Sequence, residues 1–311
     1  MSEIIIVTGV KGFVGTNLTS YLKDFFVVKG ISRAADANND IYEYSDVDEL
    51  LSESKAIVHL AGKAHDLKNI SNDAEYFEVN TELTKNLFDQ FLKSECKTFI
   101  YLSSVKAVRD KVEGVLIENE KPNPLTAYGK SKLQAEAYIQ NQTLPEGKSY
   151  YILRPCMIHG SGNKGNLNLL YNFVSKGFPY PLSSFENRRS YLSVENLCFI
   201  ISELLKREDI PSGIYNVSDD EALSTNELIA LLSKALNITP RLLPIPQKLI
   251  FLIAAIGDIF KLPLNTEKLG KLTENYEVSN QKIKRALKKS LPLAARDGIL
   301  KTARSFKKDE K

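Results

Sequence analysis

A short apolar run, Ile4-Ile5-Ile6-Val7, leads directly into Thr8-Gly9-Val10-Lys11-Gly12-Phe13-Val14-Gly15 and then into the helical pattern Asn17-Leu18-Thr19-Ser20-Tyr21-Leu22. No other stretch limits the fold so tightly. Unbroken β-branched residues suit a parallel strand covered on both faces. Glycines at 9, 12 and 15 permit a tight turn, let the backbone approach a pyrophosphate, and let helix pack closely on strand, with the phosphates at the helix N-terminus. The order of strand, triplet and helix predicts an α/β fold with a doubly wound parallel sheet (Rossmann). It also predicts a dinucleotide held by Gly9, Lys11, Gly12, Phe13, Val14 and Gly15.

The second predicted strand, Val27 to Ile31, ends in Ser32-Arg33, where an acidic residue would bond a ribose 2′-hydroxyl. Together with Lys11, Arg33 offers two cations to a 2′-phosphate, which favours NADPH over NADH. Against this, Arg33 can instead stack on adenine or face solvent, and Asp36 can serve a ribose. Residues 56–62, Ala-Ile-Val-His-Leu-Ala-Gly, predict another buried strand, ending in small residues where a cofactor can pass, with His59 as a satisfied core histidine. A helix is expected over Tyr76 to Leu92, and a strand over Thr98 to Leu102 that ends in the hydroxyls of Ser103 and Ser104, where the ligand crevice of such a sheet lies. Arg109 to Asn123 reads as a loop with little fixed structure.

In the run Thr126-Ala127-Tyr128-Gly129-Lys130-Ser131-Lys132, helical spacing puts Tyr128 and Lys132 on one face. A neighbouring ammonium favours the phenolate and draws a tyrosine, which ordinarily ionises near pH ~10, toward acid/base work. Taken alone, such a pair is usually a surface contact.

The glycine triplet, His59-Leu60-Ala61-Gly62, Asn80, Ser103-Ser104 and Tyr128 to Lys132 together resemble the extended short-chain dehydrogenase/reductase family. More narrowly they are similar to its nucleotide-sugar epimerase, dehydratase and 4-reductase branch, over nearly the whole chain. The resemblance implies that Tyr128 is the general acid/base, that Lys132 holds the nicotinamide ribose and lowers the tyrosine pKa, and that Ser104 bonds the reacting sugar oxygen. It adds Leu60, Ala61, Gly62, Asn80, Ser103, Tyr128, Lys132 and Pro155 to the cofactor side, with Asn80 fixing the backbone behind the catalytic groups and Pro155 lying beside the nicotinamide. On the substrate side it implies Ser104, Tyr128, Asn166 and Arg189, the arginine clamping a diphosphate and Arg188 being its near alternative. The chain departs from the family where a second diphosphate arginine is common, offering Lys268 and Lys271 instead. Two helices of the nucleotide domain, one bearing Tyr128, are expected to pair into a homodimer.

The domain expectation is a Rossmann unit over 1–158, also receiving 190–218, and a smaller C-terminal substrate domain from 159–189 and 219–311. Tyr150 to Gly160 is expected to be one strand leaving the first unit, Ser224 to Glu227 a capping box, and Tyr276 to Leu287 part of the second unit's closing helix. The apolar segment Leu249 to Ile256 is too short to span a bilayer and is expected to be buried or to face a partner. Net charge is +3, which excludes nucleic-acid binding by bulk charge, although residues 261–311 hold 14 Lys and Arg against 6 Asp and Glu. Cys96, Cys156 and Cys198 lie in apolar contexts and no spacing suits a metal, so free thiols and a cytoplasmic location are expected.

The reaction expected is hydride exchange between NAD(P) and C4 of a UDP-linked hexose. Dehydration is disfavoured because Val105-Lys106-Ala107 follows Ser104, where the family's dehydratases place acidic residues. The segments around Ser104, Lys164 to Leu167 and Asn187 to Ser190 look most like reductases of UDP-4-keto-6-deoxy-N-acetylhexosamines in surface-polysaccharide synthesis. Reduction at C4 is therefore the expectation, with a 4-epimerase as the alternative. A non-catalytic NAD(P)-binding sensor is the alternative of another class, and the presence of Ser104, Tyr128 and Lys132 speaks against it.

Overall fold

The computed structural model of the chain describes residues 3–64, 72–163, 165–261 and 264–309. Its strands are β1 (Ile4–Thr8), β2 (Val27–Ile31), β3 (Ile41–Tyr42), β4 (Ala56–His59), β5 (Thr98–Leu102), β6 (Val115–Leu116), β7 (Ser149–Pro155), β8 (Met157–His159), β9 (Tyr191–Ser193), β10 (Gly213–Val217) and β11 (Glu277–Val278). The helices are α1 (Phe13–Leu22), α2 (Val47–Glu53), α3 (Asp73–Phe77), α4 (Leu83–Lys93), α5 (Ala127–Gln140), α6 (Asn166–Ser175), α7 (Val194–Lys206), α8 (Thr225–Leu236), α9 (Gln247–Phe260), α10 (Thr266–Thr273), α11 (Gln281–Leu287) and α12 (Ala295–Asp309).

Seven strands form one sheet in the order β10-β7-β5-β4-β1-β2-β3, and every pairing is parallel. Strand order therefore reverses between β1 and β4, and the crevice at their carboxyl ends is where such a sheet receives its ligand. The unbroken apolar run of β1 is explained by its two faces. Ile5 and Val7 join Leu18 and Leu22 of α1 and Leu197 and Ile201 of α7 in one core, while Ile6 joins Leu51, Phe88 and Ile139 in the core on the other side. A third core is built from Leu167, Tyr171, Leu228, Leu232, Ile250, Leu269, Ile299 and Phe306.

Four expectations need correction. The run Tyr150 to Gly160 is not one strand: β7 stops at Pro155, which has no N–H to give, Cys156 donates to Val217, and Met157–His159 pairs instead with β9. The helix expected from Tyr76 begins at Asp73 and carries a π turn at Glu78–Glu82 before α4. The stretch Arg109 to Asn123 contains β6, which pairs with β11. Tyr276, Val278, Ile283 and Leu287 pack into the core on the α1 and α7 side of the sheet, so this segment is not a closing helix of the smaller unit. The capping box at Ser224 and Glu227 forms as expected, and all three cysteines are free and buried.

Gly15 sits inside α1, and a methyl group placed on it would lie 2.3 Å from the Gly9 carbonyl oxygen. That oxygen is backbone and cannot swing away. Gly15→Ala is expected to destabilise the fold by about 1–3 kcal/mol through overpacking, read as a lower urea midpoint, and to weaken dinucleotide binding in the same sample.

Candidate active site

The glycine loop is pressed against the end of β4. Gly9 has φ +68°, and a side chain there would meet the Ala61 nitrogen at 2.8 Å. The Ala61 N–H donates to the Thr8 hydroxyl (3.1 Å), which is 2.7 Å from His59 Nδ1. His59 Nε2 is 2.9 Å from the Thr84 hydroxyl, and that hydroxyl donates to the Asn80 carbonyl at 2.8 Å. Directions follow from this chain. Thr84 spends its proton on Asn80, so Nε2 carries the histidine hydrogen and Nδ1 accepts from Thr8. Burial, with Lys132 adding to it, pushes the imidazole pKa down to about 3. His59 is thus a neutral core link, as its apolar context implied.

No side chain caps α1, which leaves its first-turn N–H groups to a ligand. Lys11 donates to the Ala34 carbonyl at 3.2 Å, and Ser32 donates to the same oxygen at 2.8 Å. Lys11 and the exposed Arg33 therefore stand on one rim of the crevice.

Asn80 lies in the π turn and is fully buried. Its side-chain oxygen Oδ1 accepts from Lys63 N (2.7 Å), and its side-chain amide donates to the Lys63 carbonyl and the Ser131 hydroxyl, both at 3.0 Å. Ser131 in turn donates to the Tyr128 carbonyl. The turn of α5 that carries Tyr128 is thereby tied to the loop after β4, and the Thr126 hydroxyl caps the same helix by accepting from Gly129 N.

Ser104 is buried at the end of β5 and hydrogen-bonds to the Tyr128 phenol. Burial raises the phenol pKa, and the Ser104 bond works against that rise. The Lys132 ammonium, also buried, donates to the Leu102 carbonyl at 2.9 Å and lies 4.8 Å from the centre of the Tyr101 ring. Its own pKa falls to about 8 through burial, with Glu136 pulling the other way. On the phenol the net direction is upward, burial outweighing the opposing bond from Ser104. A side chain at Gly62 would lie 2.9 Å from Asn80 Oδ1 and 3.0 Å from Lys132 Nζ, so this glycine leaves room for the ammonium.

Ser103, like Ser104, is buried. Its hydroxyl bonds to Glu136, which is buried and also held by Arg154, with Nε 3.0 and 3.1 Å from the two carboxylate oxygens. Arg154 thus anchors α5 to β7 from beneath, and Pro155 closes the strand beside Val217. This buried pair had no sequence signal beyond the Arg-Pro dipeptide.

On the substrate side, Asn166 is exposed in the first turn of α6, after Gly165, while Lys164 lies outside the described residues. Arg189 donates to the last carbonyls of α10 and its end, Lys271 O at 2.6 Å and Glu274 O at 3.2 Å, and pairs with the Glu274 carboxylate. Arg188 is more exposed and pairs with Glu277. Lys271 pairs with Glu267 on the surface. Lys106 is not among the site residues to which the sequence points. It sits 4.6 Å over the Tyr276 ring, donates to the Asp110 carbonyl, and has its pKa lowered chiefly by burial, with the charges of Arg189 and Lys271 adding to that. Its place two residues after Ser104 was the available signal.

Residues 5–218 match the NAD dependent epimerase/dehydratase family. Over 98% of this chain and 96% of the relative, the chain is 32% identical to a UDP-glucose 4-epimerase of Vibrio cholerae. It is 28% identical, over 92% of its length and 86% of the relative, to N-acetyl-alpha-D-glucosaminyl-diphospho-ditrans,octacis-undecaprenol 4-epimerase of Escherichia coli O157:H7. Among solved structures it superposes on MoeE5 in complex with UDP-glucose and NAD with a TM-score of 0.76 at 17% identity, covering 99% of both chains.

Arg154→Met leaves the Glu136 carboxylate buried without its cation and is expected to cost ~3–5 kcal/mol, whereas replacing both residues with apolar ones of similar volume costs far less; urea unfolding of the single and double variants checks this. A pH effect follows from His59. The folded chain protonates it only near pH 3, against an ordinary value of 6.5. The unfolded state therefore holds more protons between these values, and the stability present above about pH 6.5 is lost as pH falls toward 3. The gap in urea midpoint between the native chain and His59→Asn should shrink across that window.

Proposed function

Because this chain belongs to the NAD dependent epimerase/dehydratase family, we propose that it is a 4-epimerase of a UDP-linked hexose, working with NAD at the crevice between β1 and β4. The convergence of Ser104, Tyr128 and Lys132 beside the glycine loop carries this reading. The crevice suits a dinucleotide: α1 has an uncapped N-terminus, and Gly9 and Gly62 stand where a side chain would collide with backbone or with Lys132. Held there by the glycine loop, Gly62 and Lys132, NAD would supply the hydride acceptor and donor for C4.

The chain's own groups handle the proton and the position. Tyr128 takes the proton from the C4 hydroxyl and gives it back, and Ser104, already bonded to the phenol, holds the sugar oxygen in line. Lys132, charged below about pH 8 and buried between Gly62 and the Leu102 carbonyl, stands where a nicotinamide ribose would bring hydroxyls to it. Arg189 and Lys106 supply positive charge for the diphosphate, with Asn166 at the opening of α6.

The 32% identity to a UDP-glucose 4-epimerase favours epimerisation over the reduction expected from sequence. Reduction at C4 is the second reading, favoured by the rim formed by Lys11 and Arg33, which suits NADPH. The two differ in nicotinamide balance. With UDP-glucose or UDP-N-acetylglucosamine, an epimerase yields the C4 epimer with no net change in NADH, while a reductase consumes NADPH in step with a UDP-4-keto-6-deoxy-N-acetylhexosamine. Tyr128→Phe is expected to cut turnover by about 10²–10⁴ with dinucleotide affinity retained; unchanged turnover would sink the mechanism.

A further inference from the structure

Helix α9 buries one apolar face and leaves a second in the open. Ile250, Ala254 and Gly257 point inward. Leu249, Leu252, Ile253, Ile256, Ile259 and Phe260 are exposed, from 41% for Ile253 and Ile256 to 75% for Ile259. At helical periodicity these six residues fall within one stripe of ~120°. Its ends are cationic, with Lys248 in the first turn and Lys261 at the C-cap, both exposed. The acidic groups nearby are engaged: Asp258 accepts from Thr266 N, and Glu267 pairs with Lys271.

We propose that α9 docks the chain on an anionic lipid bilayer, lying in the plane of the headgroups with its stripe against the acyl chains and Lys248 and Lys261 against lipid phosphates. Its 14 residues extend ~21 Å, and no helix among the described residues is long and apolar enough to cross a membrane. The helix therefore lies on the surface and does not span it. A second protein is the poorer occupant. No polar side chain interrupts the stripe, whereas protein interfaces carry a hydrogen bond every 100–200 Å² or so. Acyl chains require no such bonds, and a cationic border is what an anionic headgroup layer attracts. Docking here also concerns the site, because α10 packs on α9 and Arg189 bonds the carbonyls at the end of α10.

The proposal does not rest on the C4 chemistry, and its test keeps the two apart. The full chain is sedimented with vesicles of phosphatidylethanolamine and phosphatidylglycerol, and with vesicles of phosphatidylcholine alone. It is expected to pellet with the anionic vesicles, less so at high salt. Leu252→Glu/Ile259→Glu should lower the bound fraction by about tenfold or more, and Lys248→Glu/Lys261→Glu should weaken binding and flatten its salt dependence. All four side chains are exposed, so melting temperature and turnover of soluble nucleotide sugar should match the native chain in both variants. Absence of pelleting with either vesicle, equal pelleting with both, or a lipid-free dimer that Leu252→Glu/Ile259→Glu splits into monomers would overturn the proposal.

Discussion

A single run of hydrogen bonds holds the site together. It passes from Ala61 N–H to the Thr8 hydroxyl, through His59 to Thr84, and from Thr84 to the Asn80 carbonyl. Asn80 then reaches Lys63 and Ser131 through its side chain, and Ser131 reaches Tyr128. Each member has one role consistent with its neighbours, so the direction of every bond is fixed by the next. The run joins β1, β4, the π turn and α5, which carry the glycine loop at one end and the proton-transfer group at the other. Burial, with the nearby charge of Lys132 acting in the same direction, keeps the imidazole neutral, so it can accept from Thr8 at one nitrogen and donate to Thr84 at the other.

The π turn acquires a purpose in this context. Within the π turn at Glu78–Glu82, the Asn80 carbonyl accepts from the Thr84 hydroxyl while its side chain reaches the Lys63 backbone and Ser131. Beneath the site, the Glu136 and Arg154 pair does for α5 what Asn80 does above it, binding the helix to β7 through two charges that water does not reach. Tyr128 and Lys132 thus stand on a helix gripped on two sides, which is what keeping an acid/base group in register requires.

Local patterns were the legible part of the sequence. The apolar run, the glycine triplet and the capping box are written in adjacent residues and appear where they were expected. Ser104 was legible as well, and periodicity could have separated it from Ser103, because consecutive residues on extended backbone point to opposite sides. The π turn, the break after Pro155, the pairing of β6 with β11 and the return of Tyr276 to Leu287 to the sheet were not legible. Each depends on a partner between 50 and 170 residues away, such as Ser131 for Asn80, Val217 for Cys156 and the Arg109 carbonyl for the Tyr276 hydroxyl. Lys106 belongs with these, since nothing beside it in sequence announces Arg189 or Lys271 as neighbours in the electrostatic sense.

Two close backbone approaches decide what the molecule presents to its ligands. In α1, Gly15 against the Gly9 carbonyl fixes the helix on the loop, so its uncapped N-terminus has one direction. In α9, a methyl group on Gly257 would fall 1.9 Å from the Leu264 carbonyl oxygen, so this point of the inward face admits only glycine. Rolling α9 about its axis would replace Gly257 there by a larger residue and drive it into that carbonyl. The apolar stripe opposite therefore cannot turn inward to relieve its exposure. An apolar face that the fold itself holds outward has to be covered from outside, and its cationic border selects for an anionic cover.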